Sequence, residues 1–290
     1  MISTSGNAQV EGGVYGGSHS WGTISNNITI SINGGTIKEG LFGGGFGTND
    51  NSCDVTGTVG ITMTDGTILS GLYGGGNVNS KIGGKTTINI NGGTIGSSLA
   101  NANVYGGGLG AATRAKGSIE VNIGSATTSG NTTTYSGNAV IYGDVYGGSA
   151  KGVTNCNDDG TAVASGTKTD VTLNSGTING SLYGGGHGIG GASANVWGPV
   201  TVTVNKGKVT EAVFGCNNEN GTPKNSVSVT INGTDAASHA KVDVFDMQGR
   251  PVFSRKAETS SVDLNNIAEG LYVVRINTGS ASLIQRIAIK

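Results

Sequence analysis

The chain has 290 residues, 55 of them Gly, with 12% charged and 5% aromatic residues and a formal net charge of −1. That balance argues against a nucleic-acid partner, which requires a basic face to neutralise phosphates, and no apolar run approaches the roughly 18 residues of a membrane-spanning helix. Glycine at this density ordinarily marks disorder, but here it alternates with Val/Ile/Thr-rich runs, the pattern of short strands joined by tight turns.

In chain order, the first residues carry neither the basic nor the apolar region of an export leader and open close to a repeat, so the gene product is expected to begin further upstream. A motif of Val/Leu, an aromatic and Gly then recurs seven times. The copies are Val14-Tyr15-Gly16-Gly17, Leu41-Phe42-Gly43-Gly44, Leu72-Tyr73-Gly74-Gly75, Val104-Tyr105-Gly106-Gly107, Val145-Tyr146-Gly147-Gly148, Leu182-Tyr183-Gly184-Gly185 and Val213-Phe214-Gly215-Cys216. Successive aromatics lie 27, 31, 32, 41, 37 and 31 residues apart. Self-similarity at such a period is the mark of a solenoid or related array.

An alternating strand precedes most copies: Ile28-Thr29-Ile30-Ser31-Ile32 runs into Asn33-Gly34-Gly35-Thr36-Ile37, and the pattern returns at Ile61, Ile88, Val171 and Val202. Alternation of β-branched and polar residues predicts half-buried strands, and the Asn-Gly or Ser-Gly that follows supplies turn positions with positive φ. Most of the length variation falls between the Gly cluster and the next strand, with extra residues also near 95–105 and 125–138. A constant coil with loops mainly on one side is therefore expected. One such unit cannot bury its own apolar stripe, whereas stacked units can. The fold predicted is an all-β parallel β-helix of about seven coils. In it Ile30, Ile61, Ile88, Val121, Val171, Val202 and Val229 form an inward ladder. Tyr15, Phe42, Tyr73, Tyr105, Tyr146, Tyr183 and Phe214 form a second ladder, of undecided direction. Units of 27 to 32 residues are too short for propeller blades of about 40–50.

Of the 55 Gly, only three follow residue 235, and charge becomes denser there. We therefore place a boundary between a repeat domain, 1–235, and a C-terminal module, 236–290. The module reads as four or five strands around Asp246-Met247-Gln248-Gly249-Arg250, Ile267-Ala268-Glu269-Gly270-Leu271-Tyr272-Val273-Val274-Arg275-Ile276 and Arg286 to Lys290. Order, spacing and terminal position of these motifs resemble the type A C-terminal sorting domain of the type IX secretion system. The motif residues are Asp246, Gly249, Arg250, Gly270, Tyr272 and Lys290. The family's opening Tyr-Pro-Asn-Pro-type strand has no counterpart, Thr222-Pro223-Lys224-Asn225 being the nearest stretch. The resemblance implies a small Ig-like antiparallel β-sandwich, here incomplete or borrowing 227–231 as an edge strand. It also implies recognition by the type IX translocon and sorting machinery, and release from, or attachment to, the outer surface of a Gram-negative bacterium.

No catalytic, cofactor-binding or metal-binding residues are assigned. Glycosidases and lyases on β-helices need carboxylates brought together, and Asp50, Asp54, Asp65, Asp144, Asp158, Asp159 and Asp170 do not recur at equivalent repeat positions. Asn157-Asp158-Asp159-Gly160 lacks the closing Glu of a calcium loop and is read as a turn. Gly186-His187-Gly188-Ile189-Gly190-Gly191 matches a dinucleotide fingerprint only on paper, since no helix follows. His19, His187 and His239 are read as exposed loop residues. Cys53, Cys156 and Cys216 fit neither a metal pattern nor a disulfide framework. The row Thr62, Thr172, Thr203 and Thr230 has the look of an ice-binding face, but Ser31, Asn89 and Asn122 interrupt it and Thr is ordinary on strands. The expectation is a secreted, non-enzymatic surface protein with a glycan or host-surface ligand. The alternative is a polysaccharide-degrading enzyme with its site in the loops 149–170 or 186–199.

Overall fold

The computed structural model describes residues 2–232, 241–256, 264, 267–277 and 282–289. The solenoid winds through three parallel sheets. The long sheet stacks Ile2–Val10, Ile28–Ile37, Val59–Ile68, Thr86–Ile90, Ile119–Ile123, Thr169–Leu173, Val200–Val204 and Val227–Ile231, with the two-residue segments that follow their turns. An aromatic sheet stacks the Val/Leu-aromatic pairs from Val14–Tyr15 to Val213–Phe214, and a short sheet runs from Gly22–Ile24 to Val153–Thr154. The turns leaving the long strands use glycine's left-handed backbone, Gly66, Gly176 and Gly207 having φ of 97°, 99° and 100°.

Register follows the predicted ladder. Ile30 pairs with Ile61, Ile61 with Ile88, Ile88 with Val121, Val121 with Val171, Val171 with Val202 and Val202 with Val229, and Ile2 extends the row ahead of Ile30. Coils about 4.8 Å apart place like residues over like, so the inward side chains fuse into a single aliphatic core. Each Ile or Val buried there contributes about 1.5–3 kcal/mol.

The glycines after the aromatics have a steric cause that lies in the next coil. A Cβ on Gly16, Gly43, Gly74, Gly106 or Gly147 would run into the carbonyl oxygen of the equivalent glycine one coil on. A Cβ on Gly75 or Gly148 would stand 2.7 or 2.8 Å from the backbone nitrogen of Gly108 or Gly186. Cys216 occupies this second position in the last aromatic copy, where no further copy stacks beyond it. The following corner is equally tight: a Cβ on Gly45 or Gly76 would lie 2.6 Å from the Cβ of Cys53 or Ser80. Cys53 is thus a small residue in a narrow corner, fully buried, its Sγ 3.2 Å from the Phe46 carbonyl oxygen.

Loops leave the coil between the Gly cluster and the next long strand, as expected, and at other junctions as well. Residues 96–103 separate a turn segment from an aromatic pair, and 155–168 separate the short sheet from the long sheet. Ser125–Ser129 and Thr132–Ser136 form an exposed antiparallel hairpin between a long strand and its turn segment. The coil tolerates insertions wherever a turn reaches solvent, because ladder pairing on either side restores the register.

The expected boundary at 235 lies within 233–240, outside the described residues. Val227–Ile231, considered as an edge strand for the module, pairs in parallel with Val200–Val204 as the last rung of the long sheet. Beyond it, Lys241–Asp246, Pro251–Lys256, Gly270–Asn277 and Ser282–Ile289 form a small antiparallel sheet. Its last strand runs parallel to Val213–Phe214, with Leu283 opposite Val213, so aromatic sheet and module form one eleven-stranded sheet. Leu283 joins the solenoid core and Ile276 packs against it.

If the next coil dictates these glycines, Gly75→Cys lowers stability by at least about 1–3 kcal/mol through overpacking. Cys216→Gly changes it by less than about 1 kcal/mol. Urea midpoints of the two variants measure the contrast.

Candidate functional site

The aromatic ladder faces away from the aliphatic core. Its six successive pairs have centroids 4.5–5.1 Å apart and planes within 3–7° of parallel. Carbon atoms touch at about 3.5–4.0 Å, so rings whose centroids follow the coil spacing are slipped into the favourable offset stack, about 0.5–1.5 kcal/mol per pair beyond burial. The residues after the Gly cluster cover the rings. Phe46 packs edge-on to Tyr15, and Leu109, Ala150 and Ile189 pack against the central tyrosines. Tyr105 and Tyr146 are buried, which pushes both phenols up and keeps them protonated.

His187, expected to be an exposed loop residue, is part of this cover. Its side chain is 13% exposed and stacks on Tyr146 with centroids 4.9 Å apart. Asn103 Nδ2 donates to Tyr105 Oη at 3.0 Å, and Tyr105 Oη and His187 Nδ1 are hydrogen-bonded at 3.1 Å. His187 Nε2–H is directed to Glu219 Oε1 at 2.9 Å. Both ring nitrogens are therefore engaged. Beside it Tyr146 Oη donates to Asp144 Oδ2 at 2.9 Å and accepts from Asn218 Nδ2 at 3.1 Å. Sequence reasoning missed this cluster, which joins residues 103 to 219 through coil stacking. Its one legible signal is that the covering residues follow each Gly cluster. His19 is exposed and stacks on Phe46, and His239 lies outside the described residues.

The acids need one correction. Asp170, read as lacking an equivalent, stands in register with Glu120 on the outward face of the long sheet. Aligning Ile119-Glu120-Val121 with Thr169-Asp170-Val171 would have found the pair. Each is held by a lysine, Lys85 Nζ 2.6 Å from Glu120 and Lys168 Nζ 2.6 Å from Asp170. The other acids serve local geometry. Asp54 and Asp144 accept the backbone N–H groups of Lys81 and Ser181 from the following coils, and Asp65 accepts that of Gly66.

In the 155–168 loop, Asn157 Oδ1 takes the N–H groups of Thr161 and Ala162, Asp159 Oδ1 takes that of Thr161, and Asp158 pairs with Lys116. Those oxygens close a turn. Trp197 Nε1 donates to the Gly160 carbonyl at 3.0 Å and fastens the loop to the solenoid. Cys156 is buried, which pushes its thiol up to about 11 and disfavours the nucleophilic thiolate. Residues 189–191 form only a short 3-10 turn.

In the C-terminal module the motif residues build two local devices. Asp246 Oδ1 accepts the backbone N–H groups of Gln248 and Arg250 at 2.9 Å, its Oδ2 accepts Arg250 Nε at 2.6 Å, and Gly249 supplies φ of 79°. Asp-x-x-Gly-Arg is thus a self-capped hairpin turn. Tyr272 Oη donates to the Ala268 carbonyl at 2.9 Å, a short reach back along the chain like the tyrosine corner of Ig-like sandwiches. A side chain at Gly270 would meet the Tyr272 ring at 3.3 Å. Lys290 lies outside the described residues. Sequence reasoning missed Asp243, a buried carboxylate that accepts from Ser254 Oγ at 2.7 Å, Lys241 Nζ at 2.9 Å and Arg275 Nη2 at 3.1 Å. The Ser254 bond first, then the two cations, hold it down to about 2. Ser254 and Arg275 sit directly opposite it in the two flanking strands and Lys241 lies two residues earlier on its own strand, a signal present in the sequence once hairpin register is known.

Residues 223–290 match the family described as the secretion system C-terminal sorting domain, under a quarter of the chain. This is the type IX sorting domain that the C-terminal motifs resemble, and it marks the chain as an exported protein, secreted or displayed at the cell surface. No curated protein and no solved structure matches the chain.

Two outcomes follow from this geometry. Tyr146→Ala, in the middle of the ladder, costs about 3–5 kcal/mol, and Tyr146→Phe about 1–3 kcal/mol by stranding Asp144 and Asn218; Tyr15→Ala, at a ladder end, costs less than Tyr146→Ala, all read as urea midpoints. Asp243 has a depressed folded value, so its stabilisation is complete above the unfolded value of roughly 3.9 and is lost as pH falls toward about 2. The ratio of pepsin nicking rates in the module, Asp243→Asn over wild type, therefore exceeds one at pH 4 and falls toward one at pH 2.

Proposed function

We propose that the protein is a non-enzymatic display scaffold of a bacterial outer surface, an adhesin or glycan- and matrix-binding rod held there through its sorting module. The observation that carries this reading is a constant stacked coil from which loops of unequal length project, because solenoid insertions commonly form the binding face. The groups suited to chemistry are already engaged: His187 by Tyr105 and Glu219, Asp144 by Tyr146, Glu120 and Asp170 by lysines. The sorting module connects the chain to the type IX translocon and sorting machinery, and outer-membrane attachment is the fate we assign to it.

A second reading is a polysaccharide lyase or glycosidase. The His187–Glu219 pair favours it, His187 lying in one of the loops expected to hold such a site. Against it, both ring nitrogens are committed, and the nearest phenols are pushed up by burial. Release of reducing ends or unsaturated products from acidic polysaccharides by the purified chain would decide for the enzyme.

In a type IX-competent host, deletion of 241–290 is expected to leave the protein in the periplasm, scored by surface protease accessibility. Exchanging the 125–138 and 155–168 loops for short turns is expected to reduce adhesion to host cells with export unchanged. Undiminished adhesion would count against loop-mediated display.

A further inference from the structure

The side chains leaving the long sheet outward stand in columns set by the coil register. One column runs Thr62, Asn89, Asn122, Thr172, Thr203 and Thr230, and beside it lies another of Thr87, Glu120, Asp170 and Thr201. Members of a column are about 4.8 Å apart and the columns about 6.7 Å apart. We propose that this face docks an extended, uncharged polysaccharide chain lying along the columns. The proposal rests on the display reading above and adds to the loops a second binding surface, on the sheet.

The first ground is chemical. Hydroxyls and amides both donate and accept hydrogen bonds, as does a polymer of sugar hydroxyls. The four charges on or beside these columns pair off, Lys85 with Glu120 and Lys168 with Asp170, so the columns themselves carry no net charge toward nucleic acid or an acidic glycan. These columns hold no aromatic or large aliphatic side chain, and a stable protein interface is anchored by such residues.

The second ground is geometric. Asn122 Nδ2 donates to Asn89 Oδ1 at 3.0 Å along the column, and the threonines are stiff at χ1. Binding therefore freezes little that is free beforehand. A compact sugar takes a concave pocket, whereas rows of individually weak contacts reinforce one another only for a partner that itself repeats. The six members of the longer column span about 24 Å.

The test is retention of the full chain on microcrystalline cellulose and insoluble chitin, with a polygalacturonate gel as the acidic comparison. Three variants are compared with wild type: Thr172→Lys/Thr203→Lys, the near-isosteric Thr172→Val/Thr203→Val, and a chain with 127–134 trimmed to a tight turn. Far-ultraviolet circular dichroism and urea midpoints confirm that each solenoid is intact. Wild type and the loop-trimmed chain are expected to be retained on a neutral matrix, with retention at least tenfold lower for the lysine pair and reduced for the valine pair. Loss on loop trimming with retention by the lysine pair would overturn the sheet-face proposal and leave the display reading standing. Retention on polygalacturonate alone, or on no matrix, would also overturn it, and cell adhesion of the loop-exchanged chain then judges the display reading separately.

Discussion

The backbone of each coil lies directly on the next, so closely at the glycine columns that no Cβ fits between them. Gly costs about 0.5–1 kcal/mol per strand position relative to Ala, and the chain carries it in aromatic copy after copy. What offsets that cost is the register that close approach enforces. With like residues superposed, the β-branched side chains of successive coils share one interior, and the aromatics of seven coils become one stack. Apolar burial and ring stacking are both consequences of that contact.

The same register distributes the polar groups. Inward positions of the long sheet are aliphatic except at Thr86 and Thr169, and most other polar side chains are sent outward, where they form columns, or to the corners, where they close turns and bind the following coil. Asp54 and Asp144 are examples: each reaches backbone donors one coil away. Carboxylates used in this way are structural parts of the stack. The C-terminal module adds to the same framework through a strand laid beside Val213–Phe214, so the segment that marks the chain for export is also continuous with its aromatic sheet.

Much of the fold is legible in the residues because a parallel stack turns sequence equivalence into spatial adjacency. Ile61 and Ile88 are recognisable as partners from their flanking Thr, Asn and Gly alone, and the structure pairs them. The sorting motifs are legible for a related reason, since Asp246, Gly249 and Arg250 act within five residues of one another. What escapes is whatever depends on loops of unequal length. His187 reads as an isolated loop residue because its partners, Tyr105 and Glu219, belong to other coils and to a turn whose path the spacing does not dictate. Glu120 and Asp170 are separated by the hairpin and the 155–168 loop, which obscure an equivalence that the flanking triplets still carry. Asp243 looks like a solvated strand position until the two strands beside it are placed.

The register between neighbouring coils is tested most directly by disulfide trapping on the outward face, in a background with the three native cysteines replaced by Ser. Thr172 and Thr203 are paired on adjacent coils, about 4.8 Å apart and inside the Cα range of a disulfide. Thr172 and Thr201 are displaced by two residues along the strand, about 8 Å apart and outside it. Rapid oxidation of the Thr172→Cys/Thr203→Cys pair with little for Thr172→Cys/Thr201→Cys is the predicted result. Equal trapping of both pairs, or preference for the second, would contradict in-register stacking.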